Sequence, residues 1–568
     1  MKQYEYKFGD DGRPYLETEL EGLELTRLPL LNKSTAFTPE ERTTFGLWGL
    51  LPPRISTLEQ QVERAYLNMT SFGEPLNQHI YLRLLQDRNE VLFYALLEKH
   101  LEEIMPVIYT PTVAEAVRQF SQIYRFPRGL TVSTENIKHI DQMLANTPYP
   151  YVKLIVATDA EGILGIGDQG FGGMAICIGK LSLYTAAAGV DPALSLPVQL
   201  DVGTNSDALL NDPLYLGVKH ERLVGDAYLD FMDTFVAALA RHHPNVLLQW
   251  EDFSRQKAFD VLERYQEALP SFNDDIQGTG AVVLAGLLAA GRRSGRKLTE
   301  EVFVVYGAGA GGVGVARQVQ AGLISGGLSA AEAAERIYMM DPLGLVLRDR
   351  PGLESFKHSL AQDPAKLSGW DFVGDSPSLL EVIKSSGATV LLGLSGQAGA
   401  FTREIVQAVT RNTPHPIIFP LSNPTSHAEA IPKDLYTWSE GRATVATGSP
   451  FGTVTFGGRR HSVSQGNNAF IFPGLGLAVM LSGARQVTPG MLTVAARALA
   501  DCIAADRLKQ GAVFPKMARI REASRLVAAA VIDEIRSEGL ARVPIEGESE
   551  TFIEQRMWRP FYRPIRKA

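Results

Sequence analysis

Two pairs of acidic residues stand in otherwise apolar sequence: Glu251-Asp252 in VLLQWEDF and Asp274-Asp275 in FNDDIQGTG. Carboxylates that close a run as apolar as Val-Leu-Leu-Gln-Trp are poorly solvated, and they repel one another unless a cation lies between them. Mg²⁺ or Mn²⁺ suits such a set, because these ions take oxygen ligands from a few carboxylates and leave the other positions to water or substrate. Either pair alone also reads as a helix N-cap, since Asp before a helical run satisfies orphan backbone N–H groups. Both pairs together, with the motifs that follow, point to a metal site.

VVYGAGAGGVGVA sets Gly307, Gly309 and Gly312 after an apolar run and at the start of a helical one. In a strand–turn–helix unit such glycines allow a tight turn, close approach of a pyrophosphate and close helix–sheet packing. The next apolar run, RIYMMD, ends in Asp341, which is suited to accept from an adenosine ribose. A carboxylate there favours NAD over NADP, and Lys357 and His358 downstream would soften the preference. Gly165-Ile166-Gly167-Asp168-Gln169-Gly170 repeats the glycine spacing, but a turn precedes it and more glycines follow, so it reads as a decoy. Its glycines either let the backbone pass close to a ligand or serve packing alone.

Lys180, in ICIGKLSLYTAAAG, begins a nearly charge-free segment. It is either a desolvated lysine suited to take a proton or a surface lysine that snorkels. Tyr109, in MPVIYTPTV, ends an apolar run before a proline turn, as a phenol at a cleft edge or as a core tyrosine. Asn423 in PLSNPT and Asn467-Asn468 in SQGNNAF follow strand or turn signals, where Asn serves either a ligand or the turn itself.

These residues need elements to hold them. From about residue 57 to 124 apolar residues recur at three- and four-residue intervals, which predicts helices. After RFPRG the texture changes to strands alternating with helices, which implies parallel sheets covered on both faces. The fold class is therefore α/β. A mostly helical region, 1–127, precedes an α/β domain at 128–273, which residues 464–535 complete. A second, Rossmann-like doubly wound domain spans 274–463, and a basic tail, 536–568, reads as a docking arm or a solvated end. The length of 568 residues fits about three to four domains. With 45% hydrophobic and 21% charged residues, a net charge of −8 and no basic block, the composition is that of an ordinary globular protein and argues against nucleic-acid binding. The stretches 280–291 and 469–484 are too short to span a membrane. The start, MKQYEYKFGDDG, lacks a signal-peptide core, and a cytoplasmic protein is expected. Cys177 and Cys502 have no partner motif and read as buried thiols.

In order along the chain, LLNKSTAFT, VIYTPTV, GDQG with GKLSLYTA, WEDF, FNDDIQGTG, GAGAGG, LSNPT, TGSPF and QGNNAFIFPG resemble the malic enzyme family. The resemblance implies NAD-dependent oxidative decarboxylation of L-malate by a homodimer or homotetramer. Glu251, Asp252 and Asp275 match the family's ligands for Mn²⁺ or Mg²⁺, and Asp274 matches the residue that orients the catalytic lysine. Lys180 matches the base that removes the C2 hydroxyl proton, and Tyr109 the acid that protonates C3. Asn423 and Asn467 match contacts to substrate and nicotinamide. One position departs: Gly162 stands where malic enzymes carry an arginine that grips a malate carboxylate, and a glycine cannot replace that fork. EGILGIGD is similar to malolactic enzymes, which convert malate to lactate and CO₂ with bound NAD, whereas YTPT and QGNN are not. Malolactic activity is thus the alternative, and an NAD- and metal-binding sensor without turnover a third reading.

Overall fold

The computed structural model describes residues 3–8, 14–147, 151–163 and 165–568; Leu164 of the EGILGIGD segment lies outside them. The chain divides into two compact units, residues 1–246 with 556–568, and residues 247–555.

The helical pattern of the first unit gives Leu58–Thr70, Pro75–Arg88, Glu90–Lys99 and Leu101–Ile108. Local chemistry sets their starts: Thr57 and Gln60 form a capping box, and the Asn89 side chain accepts from Leu92 N–H. Val62, Ala65 and Met69 of the first helix join Leu82, Leu85, Leu96 and Ile104 in one core. Ahead of these helices lies an antiparallel hairpin, β1 (Glu5–Phe8) and β2 (Pro14–Thr18), which the helical reading of residues 1–127 did not foresee. The basic C-terminus is not a solvated end: Ile565–Lys567 pairs in parallel with β2, with Ile565 opposite Leu16.

Three parallel strands follow: β3 (Leu130–Ser133), β4 (Leu154–Thr158) and β5 (Ser195–Asp201), with β5 paired to both of the others. Every residue of β4 and β5 is buried, as a sheet covered on both faces requires. The crossover between them carries the helix Met174–Ala188, buried along its whole length and closed by Gly189 at φ +63°. Gly170–Ala188 is long and apolar enough to cross a membrane by length and composition, yet it is core of this unit.

The second unit opens with β6 (Leu247–Trp250) and β7 (Ser271–Asn273), parallel, with Trp250 opposite Asn273. Its large sheet contains β8 (Phe303–Tyr306), β9 (Ile337–Asp341), β10 (Gly344–Leu345), β11 (Val390–Gly393), β12 (Ile417–Pro420) and β13 (Thr444–Thr447). The order is β10-β9-β8-β11-β12-β13, followed by the short strand Ser464–Gln465, and all neighbours are parallel except β9 and β10. From β8 the chain moves outward to β9 and then returns to β11 on the other side. The switch point between β8 and β11 is where doubly wound sheets open a crevice for ligands. The C-terminal helices Pro489–Asp501 and Ile520–Ser537 belong to this unit, and Gln318 donates to Thr493 to tie the first of them to the helix after β8.

Candidate active site

At the switch point the three glycines of GAGAGG differ in what they make room for. Gly307 sits at φ +122°, and a Cβ on it would come within 2.3 Å of the Leu394 carbonyl oxygen beyond β11. A Cβ on Gly312 would lie 1.8 Å from the Gly307 oxygen, so this glycine lets the helix Ala310–Ser325 approach the strand. Gly309 caps that helix and faces open space, with only Arg255 Nε near its missing Cβ, at 3.6 Å. Open backbone at a helix N-terminus is what a pyrophosphate needs.

Asp341 ends β9 and is already engaged. Its Oδ2 accepts from Arg350 at 2.6 Å and Lys357 at 3.1 Å, and its Oδ1 accepts from Leu343 N–H at 2.9 Å. Burial works against its charge, but the bonds from Arg350 and Lys357 outweigh burial and hold its carboxyl below the usual range. Of the two cations expected downstream, Lys357 reaches Asp341, whereas the His358 ring faces the Leu353 carbonyl. Arg350 was not singled out in the sequence.

The two acidic pairs come together at the ends of β6 and β7. Carboxylate oxygens of Glu251, Asp252 and Asp275 lie within 4.8 Å of one another, with Glu251 3% and Asp252 5% exposed. Asp252 adopts φ +54°, unusual for a residue with a Cβ, and its N–H donates to Asp275 Oδ2 at 2.8 Å. Gln249 steadies Glu251 through Oε2. Neighbouring and opposite ligands of an octahedral ion with ~2.1 Å bonds stand about 3 and 4.2 Å apart, so small side-chain rotations would bring this hard-oxygen set onto Mg²⁺ or Mn²⁺. Asp274, fully buried, starts the π-helical turn Asp274–Gly278, and a Cβ on Gly278 would strike its Oδ1. Its Oδ2 accepts from Asn468 at 3.1 Å. Asn467 instead caps its own turn by accepting from Ala469 N–H, and Asn423 accepts from the Ser449 hydroxyl beyond β12.

In the first unit, Lys180 is 1% exposed, which rules out the snorkelling alternative. Its Nζ lies 5.4 Å from the centre of the Tyr109 ring. Gly179 permits this approach, since a Cβ there would touch Ile108 O at 3.2 Å and Tyr109 Cδ2 at 3.4 Å. Arg83 braces the pair by donating to Ile108 O and to Ser182 Oγ. Gly162 lies in the turn after β4, and the Gly165–Gly170 loop follows it with Gly165 and Gly167 at φ +81° and +71°. That loop is pinned by a residue the sequence reading missed. Arg222 donates to both oxygens of Asp168, at 2.8 and 2.6 Å, and its Nη1 stands 3.8 Å from Asp159. Burial opposes the Arg222 charge, but Asp168 and Asp159 hold it firmly protonated.

A doubly wound sheet with a glycine loop at its switch point defines the class of dinucleotide-binding α/β proteins. The malic enzyme N-terminal domain matches residues 86–266 and the malic enzyme NAD-binding domain residues 276–536. The chain belongs to the malic enzyme family. It is 50% identical over 544 residues to a protein of Proteus mirabilis named NAD-dependent malic enzyme, covering 96% of each chain. A Pseudomonas aeruginosa protein of the same name is 48% identical over 548 residues, covering 96% of this chain and 97% of that one. Among solved structures, the Entamoeba histolytica malic enzyme superposes with a TM-score of 0.53 at 21% identity over 89% of each chain. The Pyrococcus horikoshii malic enzyme gives 0.53 at 23% over 80% of this chain and 88% of its own. These two likenesses concern the fold.

Proposed function

We propose that this protein oxidatively decarboxylates L-malate to pyruvate and CO₂ with NAD and a divalent metal. The observation that carries the reading is the convergence of the Glu251, Asp252 and Asp275 carboxylates within 4.8 Å in a chain of this family. When bound, the metal supplies polarisation of the substrate's C2 oxygen and NAD supplies a hydride acceptor. The chain's own residues manage protons and orientation. Lys180 takes the C2 hydroxyl proton, and Tyr109 returns a proton to C3 after CO₂ has left. Asp274, held by Asn468, is the orienting carboxylate. Gly307, Gly309 and Gly312 admit the pyrophosphate, Asp341 the adenosine ribose, and Asn423 and Asn467 face substrate and nicotinamide.

Malolactic chemistry rested on the EGILGIGD segment, and the relatives at about half identity carry the name NAD-dependent malic enzyme, which favours pyruvate as product. The reading includes a cytoplasmic homodimer or homotetramer, and sedimentation of the purified protein checks the assembly. Its direct test is NADH formation from L-malate: dependence on added Mn²⁺ or Mg²⁺ and loss with a chelator are expected, and undiminished activity in the chelator contradicts the metal assignment.

A further inference from the structure

Glu429 belongs to none of the motifs above, yet it is fully buried. It lies in SNPTSHAEA, after β12. Its Oε1 accepts from the Ser395 N–H and hydroxyl, both at 2.8 Å, and from the Ser422 hydroxyl at 2.5 Å. Ser422 N–H approaches Oε2 at 3.4 Å. Both hydroxyls are turned towards it as donors because each accepts a backbone N–H of its own, from Gln397 and from Gly396. Among the described residues no lysine, arginine or histidine pairs with this carboxylate, so neutral donors alone surround it. Room is kept for it: a Cβ on Gly393, the last residue of β11, would come within 2.5 Å of Glu429 Cδ.

The carboxylate therefore lies against the end of β11, across the switch point from Asp341. In such sheets the pyrophosphate occupies the glycine loop and the adenosine ribose turns towards the following strand, here β9. The nicotinamide half is left to the other side, where the loops after β11 and β12 begin. Its ring carries a positive charge when oxidised and none when reduced, and a buried negative charge discriminates between the two.

We propose that Glu429 is a positioning residue with an electrostatic role, holding the loops after β11 and β12 together and biasing the bound cofactor towards the oxidised, cationic nicotinamide. The proposal rests on the NAD reading above. Glu429→Gln separates charge from shape, since an amide oxygen in the Oε1 position keeps three of the four bonds.

The experiment titrates NAD⁺ by calorimetry and NADH by fluorescence into the full-length wild type, Glu429→Gln and Ser422→Ala. Glu429→Gln should weaken NAD⁺ about tenfold and NADH less than about twofold, as expected for loss of one charge–charge attraction. Ser422→Ala, which keeps the charge and loses a bond, should change both nucleotides by a similar factor. Equal weakening of the two by Glu429→Gln overturns the electrostatic role. So does a Ser422→Ala protein that loses NAD⁺ selectively, a result that decides the matter even where Glu429→Gln does not fold. A wild type that binds neither nucleotide overturns the NAD reading instead.

Discussion

The glycine loop after β8 and the buried helix that carries Lys180 hold their candidate residues by different means. Around the loop, backbone does the placing: Gly307 at φ +122°, the close approach at Gly312 and the open N-terminus at Gly309. Around Lys180, side chains do it. A fully buried helix holds the lysine, Tyr109 lies beneath its ammonium, and Arg83 ties both segments together. A site made of backbone tolerates changes in its side chains. A site made of buried side chains loses function or stability when one is removed.

The largest effect expected from this contrast is at Lys180. Lys180→Ala should lower kcat for malate oxidation by about 10³- to 10⁴-fold, at the upper end of what a proton-transfer group contributes, with Mn²⁺ binding unchanged. Tyr109→Phe should slow protonation of the enolate more than reduction of a supplied 2-keto acid. Equal slowing of both steps would merge the two roles and break the division within the first unit.

Arg222→Met tests stability on the same side of the comparison. Removing the buried Arg222 leaves the half-buried Asp168 without its cation, at a cost of at most about 3–5 kcal/mol, read as a lowered denaturation midpoint. The effect is pH-dependent. Burial alone would raise the Asp168 carboxyl, but its bonds to Arg222 prevail and hold it below the usual carboxylate value. A depressed native value means that the pair's contribution is fully present above about pH 4 and fades as the pH falls through the depressed value. Wild type and variant should therefore converge in acid, and a stability gap independent of pH would remove Asp168 from the explanation.

Much of the backbone-built region was legible in the sequence. A glycine spacing between a strand and a helix is a local signal, and so are carboxylates that end apolar strands. Lys180 and Tyr109 were legible as residues, but the full burial of Lys180 beside a half-buried Tyr109 was not, because the layers covering Met174–Ala188 come from distant segments. The same reason hid Arg222, whose partner Asp168 lies 54 residues away. It also hid the hairpin β1–β2 and its pairing with Ile565–Lys567, which joins the two ends of the chain. Asn467 and Asn468 could not be told apart by spacing; only the turn geometry directs one to Ala469 N–H and the other to Asp274.

Smaller effects belong to the second unit. Asp252→Asn keeps shape and loses charge, so the Mn²⁺ requirement should rise roughly 10- to 100-fold with the melting temperature little changed, each tenfold being about 1.4 kcal/mol. Unchanged Mn²⁺ affinity would take Asp252 out of the ligand set. Asp341→Ser should act more mildly. It frees Arg350 and Lys357 to meet a 2′-phosphate, narrowing the preference for NAD over NADP by a few-fold to about tenfold in kcat/KM. A wild type that already prefers NADP would show that the two cations outweigh the carboxylate.

The balance of products tests the proposed reaction most directly. Purified protein given L-malate, NAD and Mn²⁺ should form pyruvate, CO₂ and NADH in equal amounts. Lactate and CO₂ without net NADH would contradict it and favour the malolactic alternative.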